Sequence, residues 1–361
     1  MIMTGDCLAV LKTLAENSID SIVTDPPYGI RFMAKRWDHD VPKIDVWKEC
    51  LRVLKPGGHM LVACGTRTQH RMVAQIEDAG FEIRDVITWL YSQGFPKSLN
   101  VSKAIDKEAG AEREVVGESQ YAGRGIRPSV KTNAIGAYFS TDHQPITTPA
   151  TDAAKQWEGF GTAIKPACEF WTLCRKPSSE STVAKNVLRW ATGGLNIDGC
   201  RVSVGAELGR FPANLILDEE AAAALDEQTG ILKSGSLLPG HKQGRGTGNS
   251  IQTSGGVIQK EYGGDSGGAS RFFYCAKASK SDRCEGNNHP TVKPTSLMRY
   301  LCKLITPPAG TVLDPFAGSG STGVAALSEG FKFLGIELNS EYVTIAQNRL
   351  GLVETNTGCA V

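Results

Sequence analysis

Short apolar runs alternate with helix-like repeats in the N-terminal part of the chain. The runs over residues 19–24, 59–63 and 83–91 have the length of buried strands. Between them, apolar positions recur every three or four residues over 46–54 and 69–79, which predicts two amphipathic helices. Strands that alternate with helices in this way are typical of βαβ units. The sequence therefore predicts an α/β protein with a largely parallel sheet.

The same alternation returns in the C-terminal part of the chain. Apolar residues at helical spacing predict a helix over 297–304, and a strand over 311–313 then runs into a glycine-rich turn. A helix ends near Glu329, a strand covers 331–336, and a last helix starts near Ser340. We expect the strands from both ends of the chain to form one sheet.

The middle of the chain, from Gly94 to about Gly286, is irregular, polar and rich in glycine. Twelve of the 40 glycines lie between Gly230 and Gly268, which predicts a flexible segment that could close around an extended ligand. A solvated loop without a partner explains this composition equally well. Two apolar runs, 170–174 and 272–276, interrupt the region, and we expect them to be strands that return to the core sheet.

The charge balance excludes a globally basic protein. The 361 residues include 39 basic and 38 acidic side chains, a net charge of +1, and 41% are hydrophobic. Any nucleic-acid site must therefore be a local patch. Basic residues without acidic neighbours occur in two stretches of the middle region, and the candidate DNA contacts among them are Arg124, Arg127, Lys131, Lys242 and Arg245.

Cysteine usage points to a reducing compartment. The ten cysteines are scattered, with no C-x-x-C pair and no Cys/His cluster at zinc spacing, so no metal site is predicted. No signal peptide is recognisable, and no apolar run approaches the roughly 18 to 20 residues of a membrane span. We expect a cytoplasmic protein with reduced thiols and no membrane partner.

The residues Asp25-Pro26-Pro27-Tyr28 follow directly on the predicted strand 19–24, and we call them the D-P-P-Y platform. The two prolines fix two φ angles, and a residue before proline is held extended. The result is a stiff support for a carboxylate and an aromatic ring. Open α/β sheets bind their ligands at the carboxyl ends of strands, so the platform is a candidate reaction site.

A second motif, residues 314–323, follows the predicted strand 311–313, and we call it the glycine turn. Gly318, Gly320 and Gly323 have the G-x-G-x-x-G spacing, and Glu337 ends the next strand. The same pattern binds dinucleotides, so a nicotinamide oxidoreductase has to be considered.

Glu337, the acid after the glycine turn, can accept hydrogen bonds from the hydroxyls of any ligand that contains a ribose. S-adenosylmethionine has a ribose but no pyrophosphate. Asp314 favours S-adenosylmethionine, because a carboxylate there would repel pyrophosphate but can pair with the ammonium of the methionyl part. A phosphate-binding P-loop is excluded, since the Lys-Ser/Thr that should follow the last glycine is absent.

In their order along the chain, these motifs resemble the amino-methylating DNA methyltransferases of the permuted β class, especially the prophage-associated branch. The resemblance covers nearly the whole chain and is carried by Gly5-Asp6-Cys7, the D-P-P-Y platform with Gly29, Gly94-Phe95-Pro96-Lys97-Ser98, residues 289–294, residues 314–320 and Gly335-Ile336-Glu337. It implies a Rossmann-like S-adenosylmethionine-dependent methyltransferase sheet, circularly permuted so that the catalytic motif precedes the cofactor motif. Residues 1–99 and 286–361 would be the two parts of the catalytic domain, and 100–285 an inserted target-recognition region.

The resemblance also implies the roles of individual residues. The catalytic residues would be Asp25, Pro26, Pro27 and Tyr28. The cofactor pocket would be formed by Asp6, Thr291, Lys293, Asp314, Phe316, Gly318, Ser319, Gly320, Thr322 and Glu337. Glu337 would bind the ribose hydroxyls, and Asp6 would lie near the adenine of the cofactor, although a helix N-cap is the plain alternative for Asp6. Thr291 and Lys293 would pack beside the methionyl end.

The implied activity is methylation of adenine N6 in double-stranded DNA by base flipping, without a metal. Asp in the first platform position leans toward adenine, and cytosine N4 is the alternative target. The absence of a Pro-Cys nucleophile motif argues against carbon-5 cytosine methylation. A catalytically silent DNA-binding protein is the alternative from a different class. A homodimer and a cognate restriction endonuclease are open as further partners.

Overall fold

The structure is a computed structural model that describes residues 1–30, 38–92, 94, 98–118, 145–202, 209–233, 235, 264–277, 282, 287–289 and 292–357. The chain divides into two compact units, one formed by Met1–Ser92 with Cys168–Val361 and the other by Gln93–Ala167. The smaller unit is therefore inserted in the sequence of the larger one.

Strands and helices alternate along most of the described chain. The strands are β1 (Ile2–Thr4), β2 (Ile19–Thr24), β3 (Leu54–Gly65), β4 (Glu82–Leu90), β5 (Val115–Glu118), β6 (Pro145–Thr147), β7 (Cys168–Arg175), β8 (Leu215–Asp218), β9 (Leu232–Lys233), β10 (Ser266–Gly267), β11 (Tyr274–Ala276), β12 (Thr311–Asp314) and β13 (Lys332–Glu337). The α-helices are α1 (Cys7–Leu11), α2 (Ile44–Val53), α3 (Gln69–Asp78), α4 (Val101–Glu108), α5 (Asp152–Gln156), α6 (Val183–Trp190), α7 (Glu219–Thr229), α8 (Thr295–Ile305), α9 (Ser321–Ser328) and α10 (Ser340–Thr357). None of these helices is long and apolar enough to cross a membrane.

Nine strands of the larger unit form one sheet, in the order β1-β13-β12-β2-β3-β7-β4-β8-β11. Neighbouring strands are parallel except at β7, which runs antiparallel between β3 and β4. Strands from both ends of the chain interleave, since β1 pairs with β13 and β12 pairs with β2. The predicted α/β sheet is confirmed, with one antiparallel strand that the prediction did not include.

Helices cover both faces of the sheet. Every residue of β2 is buried, as expected for a central strand that is packed on both faces. Ile22 and Val62 pack with the layer that contains α1, α2 and α3. Val23 and Leu61 pack with the layer that contains α8 and α9. The carboxyl end of β2 is thereby held between two hydrophobic layers, which gives the residues after it a rigid base.

The junction between α2 and β3 differs from the predicted one. The sequence predicts a helix to residue 54 and a strand from His59, but β3 already begins at Leu54 and contains Pro56, Gly57 and Gly58. The register between β2 and β3 shifts between Ile19 and Ser21, and Gly57 has a φ of +77°. The proline and glycines thus form an irregular stretch inside the strand, where a missing N–H is tolerated.

Both apolar runs of the middle region are strands of the sheet, as predicted, in β7 and β11. Strand β11 is shorter than the predicted run, because Ala269–Phe272 forms a 3-10 helix. Strand β8 was not predicted. It has only four residues and pairs in parallel with β4 and β11, so its identity as a strand depends on partners that are distant in sequence.

The unit Gln93–Ala167 contains α4, α5 and the antiparallel pair β5 and β6. Its polar centre is the buried Asp106. The carboxylate accepts hydrogen bonds from Arg113 Nη1 at 2.6 Å and from the Thr151 hydroxyl at 2.7 Å. Since Thr151 also caps α5, these contacts tie the two helices of the unit together.

Candidate active site

The three neighbouring parallel strands β13, β12 and β2 bring the two predicted motifs together. β13 and β12 end in Glu337 and Asp314, and Asp25 follows directly after β2. Carboxyl ends of parallel strands lie at the same edge of a sheet, which is where such sheets bind ligands. A cavity of about 860 Å³ opens at this edge. Its volume lies within the range of small-molecule sites, roughly 300 to 1,000 Å³.

Most of the predicted catalytic and cofactor residues line this cavity. They are Asp6, Asp25, Pro26, Pro27, Tyr28, Lys293, Asp314, Phe316, Gly318, Ser319, Thr322 and Glu337. Gly320 does not line it. A Cβ at Gly320 would lie 3.0 Å from the Cβ of Ala346, so this glycine permits close packing of α9 and α10. Outside the described residues lie Thr291 and the predicted DNA contacts Arg124, Arg127, Lys131, Lys242 and Arg245.

Asp38 holds the D-P-P-Y platform in place. Its carboxylate is 1% exposed and accepts hydrogen bonds from the backbone N–H groups of Tyr28, at 2.7 Å, and Gly29, at 2.9 Å. Gly29 has a φ of +68°, and a Cβ there would lie 2.9 Å from the backbone nitrogen of Val41. No motif in the sequence marks Asp38 as part of the site. Rigidity of the platform therefore comes from Asp38 and Gly29 as well as from the prolines.

We expect Gly29→Ala to destabilise the protein more than Gly330→Ala. Both glycines have positive φ, +68° and +78°, so alanine costs about 1–2 kcal/mol of unfolding free energy at either position. Only at Gly29 would the new methyl group meet backbone atoms, because nothing lies within 4 Å of a Cβ at Gly330. Overpacking adds about 1–3 kcal/mol at Gly29. Urea denaturation of the two variants measures the difference, and equal losses would show that the backbone near Val41 moves aside.

A partly buried polar network surrounds Asp25. The Tyr28 hydroxyl donates to Asp25 Oδ1 at 2.7 Å, and Lys293 Nζ donates to the Tyr28 hydroxyl at 3.1 Å. Lys293 is also ion-paired with Glu169 at 2.6 Å and with Asp25 Oδ2 at 3.3 Å. Burial raises the pKa of Tyr28, and the nearby carboxylates of Asp25 and Glu169 raise it further. The phenol therefore stays protonated and can donate to Asp25.

Glu169 belongs to this network although the sequence does not predict it. It lies near the start of β7 and lines the cavity. The sequence shows only an acid at the edge of an apolar run, a position that is usually solvated. Its partner Lys293 is 124 positions away, so the ion pair exists only after β7 has joined the sheet.

Asp314 fixes the glycine turn from inside. Its Oδ1 accepts hydrogen bonds from the Thr24 hydroxyl at 2.6 Å and the Phe316 N–H at 3.0 Å, and its Oδ2 accepts one from the Thr322 hydroxyl at 2.6 Å. Burial raises the pKa of Asp314 to about 6, while these hydrogen bonds favour the charged form. The carboxylate links β2, β12 and α9 and also lines the cavity.

Glu337 holds the other side of the turn. Its Oε2 accepts a hydrogen bond from the Gly318 N–H at 2.9 Å, and its Oε1 accepts one from the Asn339 N–H at 2.8 Å. A carboxylate has about four acceptor positions, so about two are left for a ligand. Gly318 has a φ of +51°, and a Cβ there would lie 3.0 Å from His289 Nε2, which explains the glycine.

Asp6 lies at the start of α1 and in the lining of the cavity. It caps α1 by accepting a hydrogen bond from the Ala9 N–H at 3.0 Å, and it lines the cavity. One carboxylate oxygen is used by the cap. The other remains for a ligand, so the N-cap does not exclude a binding role.

Arg349 is a further part of the site that the sequence does not predict. It is 4% exposed on α10 and donates to the Ser319 carbonyl at 2.6 Å, the Ser319 hydroxyl at 3.0 Å and the Ser321 hydroxyl at 3.1 Å. The Arg349 guanidinium thus holds the glycine turn in place through Ser319 and Ser321. Arginine on a helix face is usually exposed, so the sequence gives no signal for this role.

The comparison with protein families covers both halves of the cavity. The family model for N6/N4 methyltransferases, described as DNA methylase, matches residues 19–348. The chain belongs to this DNA methylase family. The D-P-P-Y platform and the glycine turn both lie within the matched residues, so membership and cavity geometry concern the same part of the chain.

Relatives within the family differ in how much of the chain they match. The type II methyltransferase M.HindIII of Haemophilus influenzae is 22% identical over 98% of this chain and 96% of its own length. The DNA adenine methyltransferase YhdJ of Escherichia coli is 48% identical over 66 residues, which are 18% of this chain and 22% of YhdJ. Among solved structures, PvuII DNA methyltransferase, which is cytosine-N4-specific, has a TM-score of 0.44 at 16% identity and covers 97% of this chain and 85% of its own. The family model is named for both N6 and N4 methyltransferases, so membership of the family does not decide the target base.

Proposed function

We propose that this chain is a site-specific DNA methyltransferase that transfers a methyl group from S-adenosylmethionine to the exocyclic N6 of adenine. The observation that supports this most is the convergence of the D-P-P-Y platform and the glycine turn on one cavity. Thr24 and Asp314, 290 positions apart in sequence, are joined there by a direct hydrogen bond. The platform supplies acceptors for an amine, and the turn supplies a pocket for a ribose-containing methyl donor.

The cavity suits S-adenosylmethionine in size and in chemistry. Glu337 accepts the ribose hydroxyls with its two remaining acceptor positions, and Asp6 lies near the cofactor adenine. Asp314, whose burial disfavours its charge, gains from the nearby ammonium of the methionyl part. When bound, the cofactor supplies an electrophilic methyl group on a sulfonium. The bond from this methyl to sulfur breaks as its bond to nitrogen forms, and the nitrogen then loses one proton to solvent.

Asp25 and Pro26 make the target amine a better nucleophile. The exocyclic amine of adenine is weakly nucleophilic, because its lone pair is delocalised into the ring. The Asp25 carboxylate and the Pro26 carbonyl accept hydrogen bonds from the two N–H groups of the amine. These hydrogen bonds turn the nitrogen lone pair toward the methyl group. Catalysis of this kind consists mainly of positioning and electrostatic stabilisation.

Tyr28 receives the flipped base. The target amine is inaccessible inside a duplex, so the nucleotide is extruded at a cost of a few kcal/mol. Stacking on the Tyr28 ring offsets about 1–3 kcal/mol of this cost. Gly65 leaves space for the ring, since a Cβ there would lie 3.3 Å from Tyr28 Cδ2. Because the Tyr28 hydroxyl also bonds Asp25, one side chain stacks the base and orients the acceptor.

Two substitutions at Tyr28 separate these roles. Tyr28→Phe keeps the ring but removes the charge-assisted hydrogen bond to Asp25, so we expect the single-turnover rate to fall about 10-fold or more. Tyr28→Ala also removes stacking, so its single-turnover rate should be lower by about a further 10-fold or more. Tyr274→Phe is the matched control, because it loses a hydroxyl bonded to the Ser296 carbonyl, outside the cavity. A wild-type rate for Tyr28→Phe would contradict the orienting role, and one for Tyr28→Ala would contradict stacking.

Residues 100–285 read the DNA sequence in this proposal. Arg124, Arg127, Lys131, Lys242 and Arg245 contact backbone phosphates of double-stranded DNA, which position the protein without reading bases. The type II relatives suggest a restriction-modification setting with a cognate endonuclease, and their bacterial sources suggest a cytoplasmic enzyme. A homodimer is a further part of the proposal.

Transfer of tritium from methyl-labelled S-adenosylmethionine to DNA tests the methyl transfer itself. The proposal expects label in DNA that depends on the protein. A silent DNA-binding protein would shift DNA on a gel and leave it unlabelled, which would contradict the proposal.

A further inference from the structure

Lys293 stands between two carboxylates that compete for it. Its Nζ lies 2.6 Å from Glu169 Oε2 and 3.3 Å from Asp25 Oδ2. A third contact goes to the Tyr28 hydroxyl at 3.1 Å. An ammonium has three N–H donors, and the hydrogen bonds to Glu169 and to the Tyr28 hydroxyl use two of them. Asp25 Oδ2 is held only by the longer ion pair.

The competition is resolved in favour of Glu169. A contact of 2.6 Å is at the short end of charge-assisted hydrogen bonds, whereas 3.3 Å is an ion pair with a weak hydrogen bond at most. The side chains of Lys293, Glu169 and Asp25 are only 11%, 18% and 22% exposed, so water screens these contacts little. Asp25 Oδ2 is thus left less engaged than it would be if Lys293 had no other partner.

Three elements of the fold set this geometry. Asp25 follows β2, Lys293 precedes α8, and Glu169 lies on β7, where it is in register with Gly65 of β3 and Trp89 of β4. Because β7 is the antiparallel strand, its first residues, and not its last, lie at the edge of the sheet that carries the cavity. The reversed direction of β7 is what places Glu169 opposite Lys293.

Several other titratable groups lie near Asp25, Glu169 and Lys293. Besides Asp25, Glu169 and Lys293, the titratable groups that act on them are Tyr28, Cys64, Tyr91, Cys168 and Asp314. Burial raises the pKa of both tyrosines and both cysteines, so all four are neutral near neutral pH. For Lys293, burial opposes the charge, but the two carboxylates outweigh it and raise its pKa, so it remains a cation. The carboxylates of Asp25 and Glu169 thus share one ammonium, and the carboxylate of Asp314 acts on Asp25 as well.

We infer that Glu169 is a positioning residue for the methyl transfer: it draws Lys293 away from Asp25, so that Asp25 Oδ2 is available to accept a hydrogen from the target amine. This inference rests on the proposed function, since it concerns the acceptor strength of Asp25. Without Glu169, Lys293 pairs with Asp25 alone and occupies the oxygen that the amine needs. Without Lys293, the carboxylates of Asp25 and Glu169 share the cavity with no cation between them.

We expect Glu169→Gln and Lys293→Met to shift the pH profile of kcat in opposite directions. The proposed role of Asp25 needs its carboxylate form, so the charges beside it influence how kcat depends on pH. In Glu169→Gln, a closer ammonium stabilises the ionised form, so we expect a kcat about 10-fold lower with the acid limb at lower pH. In Lys293→Met, repulsion between two carboxylates moves the acid limb to higher pH. Burial raises the pKa of Asp314 to about 6, so Asp314 also contributes to the acid limb, and only differences between variants are compared.

The experiment measures methyl-transfer rates against pH for wild type, Glu169→Gln, Lys293→Met and the double variant, with circular dichroism and thermal unfolding as checks on folding. In the double variant Asp25 has neither partner, so we expect its kcat to exceed that of either single variant. Glu82→Gln is the matched control: it breaks a 2.6 Å pair with Arg175 at the other end of β7, and its pH profile should match wild type.

The outcomes separate this inference from the proposed function. If wild type transfers no methyl group, the proposed function fails. If wild type is active but Glu169→Gln leaves the acid limb unmoved, or the double variant is no better than the singles, Glu169 does not act through Lys293 on Asp25. A Glu169→Gln protein that is unfolded would also overturn the inference, since the ion pair would then be a packing element.

Discussion

Replacing Asp25 with alanine is expected to reduce methyl transfer about 1,000-fold, the loss typical for a preorganised polar group that acts in the transition state. The affinity for S-adenosylmethionine should stay within about threefold of wild type, because Asp25 belongs to the platform and not to the glycine turn. Lys293 keeps its shorter ion pair with Glu169 in this variant, so no buried charge is left without a partner. Rapid-quench transfer assays and calorimetric cofactor titration measure the two quantities separately.

Asp78→Ala is the matched control for this experiment. Asp78 is an exposed carboxylate at the end of α3, so its removal should leave both quantities at wild-type values. Asp25→Asn adds a finer comparison, because it retains one acceptor oxygen and the shape of the side chain but not the charge. An Asp25→Ala protein that methylates DNA at the wild-type rate would contradict the catalytic role of Asp25.

Replacing Glu337 with alanine is expected to weaken S-adenosylmethionine binding about 100-fold or more, since hydrogen bonds to a charged acceptor contribute about 1.5–3 kcal/mol each. Two effects combine here. The ribose hydroxyls lose their acceptor, and the Gly318 N–H loses the carboxylate that holds it at 2.9 Å. At saturating cofactor, kcat should be affected much less than the dissociation constant.

Glu341→Ala provides the comparison for Glu337. Glu341 is an exposed glutamate on α10 whose side chain accepts a hydrogen bond from Asn288, and it does not line the cavity. We expect its loss to leave cofactor affinity unchanged. If both glutamates can be removed without effect on affinity, the assignment of the cofactor pocket to the glycine turn is wrong.

Local sequence rules predicted the parts of this site that depend on local geometry. Consecutive prolines after a strand fix the position of Asp25, and glycines at 318 and 320 are required by positive φ and close packing. Both features follow from backbone sterics within a few residues. The sequence therefore predicted the two halves of the cavity, and the parallel strands β2, β12 and β13 account for their meeting at one edge of the sheet.

The sequence did not predict the residues that support the site, because their partners come together only when the chain folds. Asp38 and Arg349 act by bonding backbone and hydroxyl groups that are brought to them by folding. Glu169 depends on the direction of β7, and no periodicity in the sequence distinguishes an antiparallel strand from a parallel one in a covered sheet. Such partners are visible only once the long-range pairing is known.

The identity of the methylated nucleoside tests the central claim most directly. DNA of mixed sequence, from cells without amine-methylating enzymes, is incubated with the purified protein and S-adenosylmethionine, digested to nucleosides and analysed by mass spectrometry. We expect N6-methyladenine with the wild-type protein and none with Asp25→Ala. A digest that contains no methylated nucleoside, or N4-methylcytosine in place of N6-methyladenine, would contradict the account.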